Sequence, residues 1–178
     1  AASLSMTGRY LFHVIDSNAN RISEAQNFIR KNGHYGLSWA EHRNQRDRLP
    51  YAENVVNLII VRDYSVPVPE LLRVLTPGGS VVVVNPKVMT EEAFSHVDFE
   101  PVKTAGDYLV AVKQWPMEMD VWSHPRHAAD GNAVSSDTLV GPPERVRWIA
   151  AATSEVEGMV TAGGRNFYGG ILARDSFN

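Results

Sequence analysis

Two carboxylates stand where chemistry could begin. Asp16 closes the apolar run "RYLFHVID", and Asp63 closes "VVNLIIVRD", followed at once by Tyr64. In open α/β sheets, ligands sit beyond the carboxyl ends of the strands, so side chains placed there line a crevice. Asp16 can serve as a two-oxygen acceptor for a ligand, or as a capping carboxylate for the helix that follows it. Asp63 and Tyr64 reach the same side from a different strand. A general base among them needs a pKa near the working pH, and the sequence assigns no catalytic residue.

Four other groupings carry reactive residue types. Asp120, His124, His127 and Asp130 form the densest polar cluster, and His-x-x-His spacing suits a single metal ion. Pro125 opposes the helix that would bring both imidazoles to one side, and no third ligand has firm spacing. The cluster therefore reads as a hydrogen-bonded loop packing Trp122, and no metal is expected. The segment "EHRNQRDR", residues 41–48, has enough arginine to hold a phosphate or carboxylate. Its own acids make it a solvated loop with local ion pairs. Trp115, Trp122 and Trp148 are of a type that stacks on a quinone or base, and read here as glue between two parts of the chain. Ser135, Ser136 and Asp137 have no histidine in a defined relation to them, so no nucleophilic triad is drawn.

The elements that must position these groups follow from periodicity. Residues 9–16 form a short, aromatic and β-branched apolar run, a buried strand. In "SNANRISEAQNFIRKNG", Ser17 or Asn18 can cap a helix; Ile22, Ala25, Phe28 and Ile29 share its apolar face; Gly33 ends it. "GLSWAEH" is a weak strand and "RNQRDRLPYAEN" a polar loop. Residues 55–63 are continuously apolar, as in a strand buried on both faces. "VPVPELLRVL" has prolines suited to a helix entrance, and Leu71, Leu72, Val74 and Leu75 supply its apolar side. Thr76, Pro77, Gly78 and Gly79 should stop that helix, because proline lacks an N–H and glycine takes positive φ. "SVVVV" is then another strand, and "DFEPVKTAGDYLVAVKQW" a hairpin about residues 105–107. Alternation of this kind predicts an α/β fold with a parallel sheet and a mixed edge.

After Trp115 the composition shifts to Pro, Gly, Ser, Asp and His, an irregular connection. "RVRWIAAAT" and "GMVTAGGRNFYGGILARDSFN" are short β candidates with glycine turns. The predicted organisation is an α/β domain over 1–115, a linker over 116–136 and a β segment over 137–178.

Composition narrows the classes. The 178 residues are 44% hydrophobic, enough for a real core. A net charge of −3 without a basic block leaves no footprint for nucleic acid. No apolar run approaches the roughly 20 residues of a membrane span. Zero cysteines exclude disulfides, thiolate metal sites and a cysteine nucleophile.

The stretch "RVLTPGGSVVVV" resembles the segment after the fourth strand of class I S-adenosylmethionine-dependent methyltransferases, where a helix ends in a Leu-x-Pro-Gly-Gly turn. "HVID" resembles the end of their second strand, "RLPYAENVVNLIIV" their Leu-Pro run into the fourth, and the hairpin their sixth and seventh. The resemblance covers about residues 8–114. It implies a Rossmann-like, mostly parallel sheet with an antiparallel edge hairpin, and a cofactor role for Asp16 at the ribose and for Asp63. Tyr64 falls on the substrate side. The family's first strand and glycine-rich loop belong before Arg9, where only "AASLSMTG" stands, so the first βα unit is missing. An acidic residue beside the adenine is offered only by Glu41 or Asp47 in a shifted register, and Asn57 stands where the family's fourth strand opens with Asp.

"MDVWSHPRHAADGNAVSSDTLVGPPERVRWIA" resembles the lead-in to quinoprotein (PQQ-type) β-propellers, and "VTAGGRNFYGGILARDSFN" the start of a first blade. Planctomycete-type proteins that join both parts match nearly the whole chain. A blade takes about 40–45 residues, so closure needs further chain. The implied reading is a fragment trimmed at both ends: a non-catalytic methyltransferase-like scaffold or interaction domain joined to a partial propeller blade. It holds no cofactor as written; S-adenosylmethionine enters if the domain is completed. Another protein chain, or the missing remainder, covers the open strand edges. The compartment implied is periplasmic or extracytoplasmic, with the cytoplasm left open. Two alternatives stand beside it: a methyltransferase whose cofactor loop lies elsewhere, and a fragment of a quinone-dependent oxidoreductase.

Overall fold

The computed structural model describes residues 8, 10–63, 66–139, 141, 158–169 and 172–177. Tyr64, Trp148 and the whole of the "RVRWIAAAT" run lie outside them.

Strand β1 (Phe12–Asp16) leads into helix α1 (Ala19–Lys31) and returns as β2 (Ser38–His42), parallel to β1 with Phe12 opposite Ser38. Asn18 caps α1: its side-chain oxygen accepts from the N–H groups of Asn20 and Arg21 at 3.0 and 3.2 Å. These are two of the donors a helix start leaves unpaired. Gly33, at φ +69, ends the helix as predicted. Ile22 and Ile29 are buried with Ala40 of β2, and Ala25 and Val14 pack beside them. Phe28, predicted on the same face, is half exposed instead. The buried stripe is only as wide as the two strands beneath it.

The second unit is β3 (Val56–Val61), helix α2 (Val68–Val74) and β4 (Leu75–Val83), again with parallel strands. Beyond β4 lie a single 3-10 turn (Glu91–Phe94) and the hairpin β5 (Lys103–Ala105) and β6 (Tyr108–Val112). The sheet order is β3-β4-β6-β5, with β6 antiparallel to both β4 and β5. Its core holds Leu71 and Val74 from α2, Leu75, Val81 and Val83 from β4, and Leu109 and Ala111 from β6. Phe94 and Phe99 close the same layer, edge to face at 5.3 Å.

One expectation fails here. Thr76 to Gly79 do not stop α2; the helix ends at Val74, and Leu75 is already extended at φ −69, ψ 138. The Pro-Gly-Gly segment lies inside β4 as a bulge, since Val56 is opposite Leu75 but Leu58 is opposite Ser80. Gly78 N–H donates to the carbonyl of Lys113, and Lys113 N–H donates to that of Gly79. A Cβ on Gly79 would come within 2.8 Å of the Thr76 carbonyl. The glycines serve the bulge. The helix end is sealed by Lys113, whose Nζ donates to the carbonyls of Leu72 and Leu75 and to Asn54 Oδ1 at 2.8, 2.9 and 2.6 Å.

The chain closes in an antiparallel meander of β7 (Val160–Ala162), β8 (Arg165–Tyr168) and β9 (Leu172–Asp175). Strands were expected there, and a three-stranded meander is common to many β folds; nothing in it shows a propeller. Trp115 fills the seam between the meander and β4: a Cβ on Gly78 or Gly164 would sit 2.9 Å from its indole. Trp122 exchanges hydrogen bonds with Thr161, its N–H to Oγ1 at 2.8 Å and its carbonyl from the Thr161 N–H at 2.7 Å. No helix among the described residues is long and apolar enough to cross a membrane.

Candidate functional site

The carboxyl ends of β1 and β3 bring Asp16 and Asp63 to one place, and Arg21 joins them. Arg21 projects from the first turn of α1. Its Nη1 lies 3.3 Å from Asp16 Oδ2 and 3.4 Å from Asp63 Oδ2. The other oxygen of Asp16 accepts the N–H of Asn18 at 2.7 Å. Asp16 thus orders the residue that caps α1, rather than capping the helix itself. The Arg21 side chain is 58% exposed and that of Asp63 66%. Around them, the Arg43 backbone N–H donates to the Asp16 carbonyl, and the Arg46 guanidinium donates from Nη2 to Ser17 Oγ at 3.3 Å. Tyr64, assigned to the same side, is outside the described residues.

Backbone approach at this edge is ordinary. The residues that follow β1, β2, β3 and β4 are Ser17, Arg43, Arg62 and Val84, with no glycine among them. Gly36 and the Gly78–Gly79 pair lie toward the opposite ends of β2 and β4.

A second cluster, missed in the sequence, lies on the α2 side of β1 and β2. The Tyr51 hydroxyl and His13 Nδ1 share a hydrogen bond of 2.6 Å. The other ring nitrogen, Nε2, is buried 3.3 Å from Glu41 Oε2, without the alignment of a hydrogen bond. Trp39 stacks on the imidazole at 4.6 Å. Burial holds His13 below its usual pKa, against the opposing pull of Glu41. Burial also pushes Tyr51 up to about 12, with Glu41 adding to it. Both shifts favour a neutral pair. Tyr51 is placed by α2: Arg73 donates to the Tyr51 carbonyl at 2.9 Å, and Glu70 accepts from Arg73 and from the Leu49 N–H at 2.7 Å. Glu41, a candidate for contact with an adenine, is turned into this cluster instead. The signal lies in a contact spanning 38 residues of sequence, which no local pattern reports.

The histidine-rich loop takes the form predicted for it. Asp120 is its hub, accepting from His127 Nε2 at 2.7 Å and from Ser135 Oγ and Ser136 N–H, both at 2.8 Å. The His127 hydrogen bond is the first cause that holds the Asp120 carboxyl well below the usual range. His127 also packs edge-on against Trp122. Among the described residues, no group of three or more His, Asp or Glu could hold a metal ion. A cavity of about 270 Å³ lies beside Trp115, walled by Phe177, Asp175 and the β4 bulge, at the end of the sheet away from Asp16.

No protein-family model matches the chain, and no curated protein matches it. Solved structures of similar fold include S-adenosylmethionine-dependent methyltransferases. One, from Aquifex aeolicus, is 17% identical with a TM-score of 0.48, covering 62% of this chain and 72% of its own. A methyltransferase from Geobacter sulfurreducens is 13% identical with a TM-score of 0.43, covering 58% and 57%. The cyclase SpnF is 21% identical with a TM-score of 0.41, covering 46% of this chain; the chain spans about a third of that protein's length, 32%. The likeness is one of chain path alone.

Proposed function

We infer that the chain is a non-catalytic interaction scaffold, a methyltransferase-like α/β sheet set beside an antiparallel β segment of a larger, quinoprotein-like assembly. The observation that carries this reading is Arg21. One guanidinium engages the two carboxylates that a nucleotide-type ligand would need. S-adenosylmethionine, which the resemblance implies for a completed domain, does not fit the described residues as they stand. Its ribose hydroxyls would compete with Arg21 for Asp16. No glycine follows a parallel strand to let backbone approach its methionine part. Calorimetric titration of the chain with S-adenosylmethionine tests the reading: no heat of binding is expected, and micromolar binding overturns it.

A methyltransferase completed by a further strand is the second reading. Asp16 supports it, standing at the carboxyl end of a parallel strand, where α/β sheets receive ligands. In that case titration of the chain together with a supplied strand and glycine turn gives heat that the chain alone does not.

A further inference from the structure

Two glycine pairs far apart in sequence meet at Trp115. Gly78 and Gly79 belong to the β4 bulge, and Gly163 and Gly164 to the turn between β7 and β8. The indole reaches bare backbone on both sides: a Cβ on Gly78 would stand 2.9 Å from its Nε1, and one on Gly164 2.9 Å from its Cη2. That same Gly164 Cβ would meet Phe177 Cε2 at 3.1 Å. The two rings therefore close on one glycine, which has no side chain to part them. Their centroids are 6.0 Å apart and their planes 59° apart, a corner rather than a stack. Trp115 keeps 43% of its surface exposed.

Both rings line the cavity of about 270 Å³ between the meander and the β4 bulge. Asp175 lines it too, and it is the one charged residue among the described walls. Its Oδ1 accepts the Phe177 N–H at 2.8 Å, which fixes the carboxylate beside that ring. Arg165 is opposite Asp175 in the β8–β9 ladder but does not line the cavity. Aromatic faces carry negative potential, and the carboxylate adds a full negative charge. Such walls favour a cation over an anion. A hydrated metal ion is a poor fit, because it needs several oxygen ligands and the rings offer none. An alkylated ammonium suits better: its charge is weakly hydrated, and its methyl groups pack on rings.

We propose that this cavity binds a small organic cation of the quaternary ammonium class. Trp115 and Phe177 supply the aromatic walls, Asp175 the opposite charge, and the paired glycines the close approach of backbone. A few convergent polar groups in a concave, partly aromatic site are what small-ligand recognition asks for. The cavity lies at the end of the sheet away from Asp16, so the assignment does not rest on the scaffold reading.

The test titrates the full, isotopically labelled chain with choline and with 3,3-dimethylbutan-1-ol, a neutral twin of the same shape. The Trp115 indole N–H and the Gly164 amide should shift together and saturate in the millimolar range with choline. The alcohol should bind roughly tenfold more weakly, because it lacks the charge. Asp175→Asn keeps an acceptor for the Phe177 N–H, so the far-UV circular dichroism should hold while choline affinity falls roughly tenfold. Trp115→Leu should abolish saturation, and the asparagine variant carries the test if the leucine loosens the seam. S-adenosylmethionine is itself an organic cation, so weak heat from it that vanishes in Asp175→Asn supports this site and says nothing of Asp16. Four results overturn the proposal: no saturable shift, equal affinity for choline and the alcohol, full affinity in Asp175→Asn, or shifts scattered away from the seam.

Discussion

The β1–α1–β2 unit and the β3–α2–β4 unit share a plan: strand, helix, parallel strand. They differ in what backs them. The second belongs to a four-stranded sheet with fourteen buried apolar residues on one face. The first has three, Ile22, Ile29 and Ala40. Burial of an aliphatic side chain contributes about 1.5–3 kcal/mol, so most of the stability lies around α2. The first unit is held to it by a few contacts: Ile15 on the core, Tyr51 with His13, and Arg21 with Asp63. A shared supersecondary plan therefore does not imply shared stability.

The largest expected effect comes from truncating one buried side chain in each unit. Leu71 is fully buried at the centre of the large core, so Leu71→Ala should cost about 3–5 kcal/mol. The same change at Ile29, 8% exposed in the small core, should cost near the low end, about 2 kcal/mol. Its effect should appear chiefly as faster amide exchange in α1. Urea denaturation and hydrogen exchange measure both. Equal losses of global stability would erase the asymmetry.

Next comes Lys113, which seals the end of α2 with three hydrogen bonds. Lys113→Met keeps the stem but strands the carbonyls of Leu72 and Leu75, at a cost of about 1–3 kcal/mol. The loss should fall on the large sheet alone. If β1 and β2 exchange faster by the same factor, the units are one cooperative block.

Legibility in the sequence divides along the line between local and long-range contacts. Both helices, Asn18 as a cap, the parallel pairs and the β5–β6 hairpin came from local signals: apolar periodicity, cap residues and glycine turns. The Pro-Gly-Gly segment misled, because its residue types suit a helix stop and a strand bulge equally. Only the partner strand and Lys113 decide between them. Asp16 and Asp63 were found from their place at strand ends. Arg21 was not singled out, since an arginine in a helix's first turn is ordinary until the fold shows what it faces. The His13–Tyr51 pair was hidden for the same reason, and so was the exposed face of β3, whose continuous apolar run predicts burial that Leu58 and Ile60 lack.

The His13–Tyr51 pair gives the contact between units a pH signature. His13 is held below its usual value, so as pH falls below about 6.5 the unfolded chain takes up the proton first and stability drops. Tyr51 keeps its proton longer in the fold. Stability should therefore also fall as pH rises from 10.0 toward about 12. Exchange in β1 and β2 should quicken at both extremes before the large sheet responds. His13→Phe should flatten the acid side only. An unchanged acid response in that variant would move the titration to another group.

The smallest effect on stability is expected at Arg21, and it separates holding the units together from guarding the carboxylates. Arg21 is 58% exposed and bridges two carboxylates at 3.3 and 3.4 Å, a geometry worth less than about 1 kcal/mol in water. Arg21→Ala should therefore leave the urea midpoint nearly unchanged, while Asp16 and Asp63 lose their shared counter-ion. If the arginine alone excludes a nucleotide-type ligand, the variant should bind S-adenosylmethionine in calorimetry where the parent does not. If the lack of a glycine after the described parallel strands also matters, it should stay silent. Heat from Arg21→Ala would make the first unit a blocked pocket, and silence would leave it an incomplete one. A large fall in the midpoint would instead make this ion pair a principal tie between the two sheets.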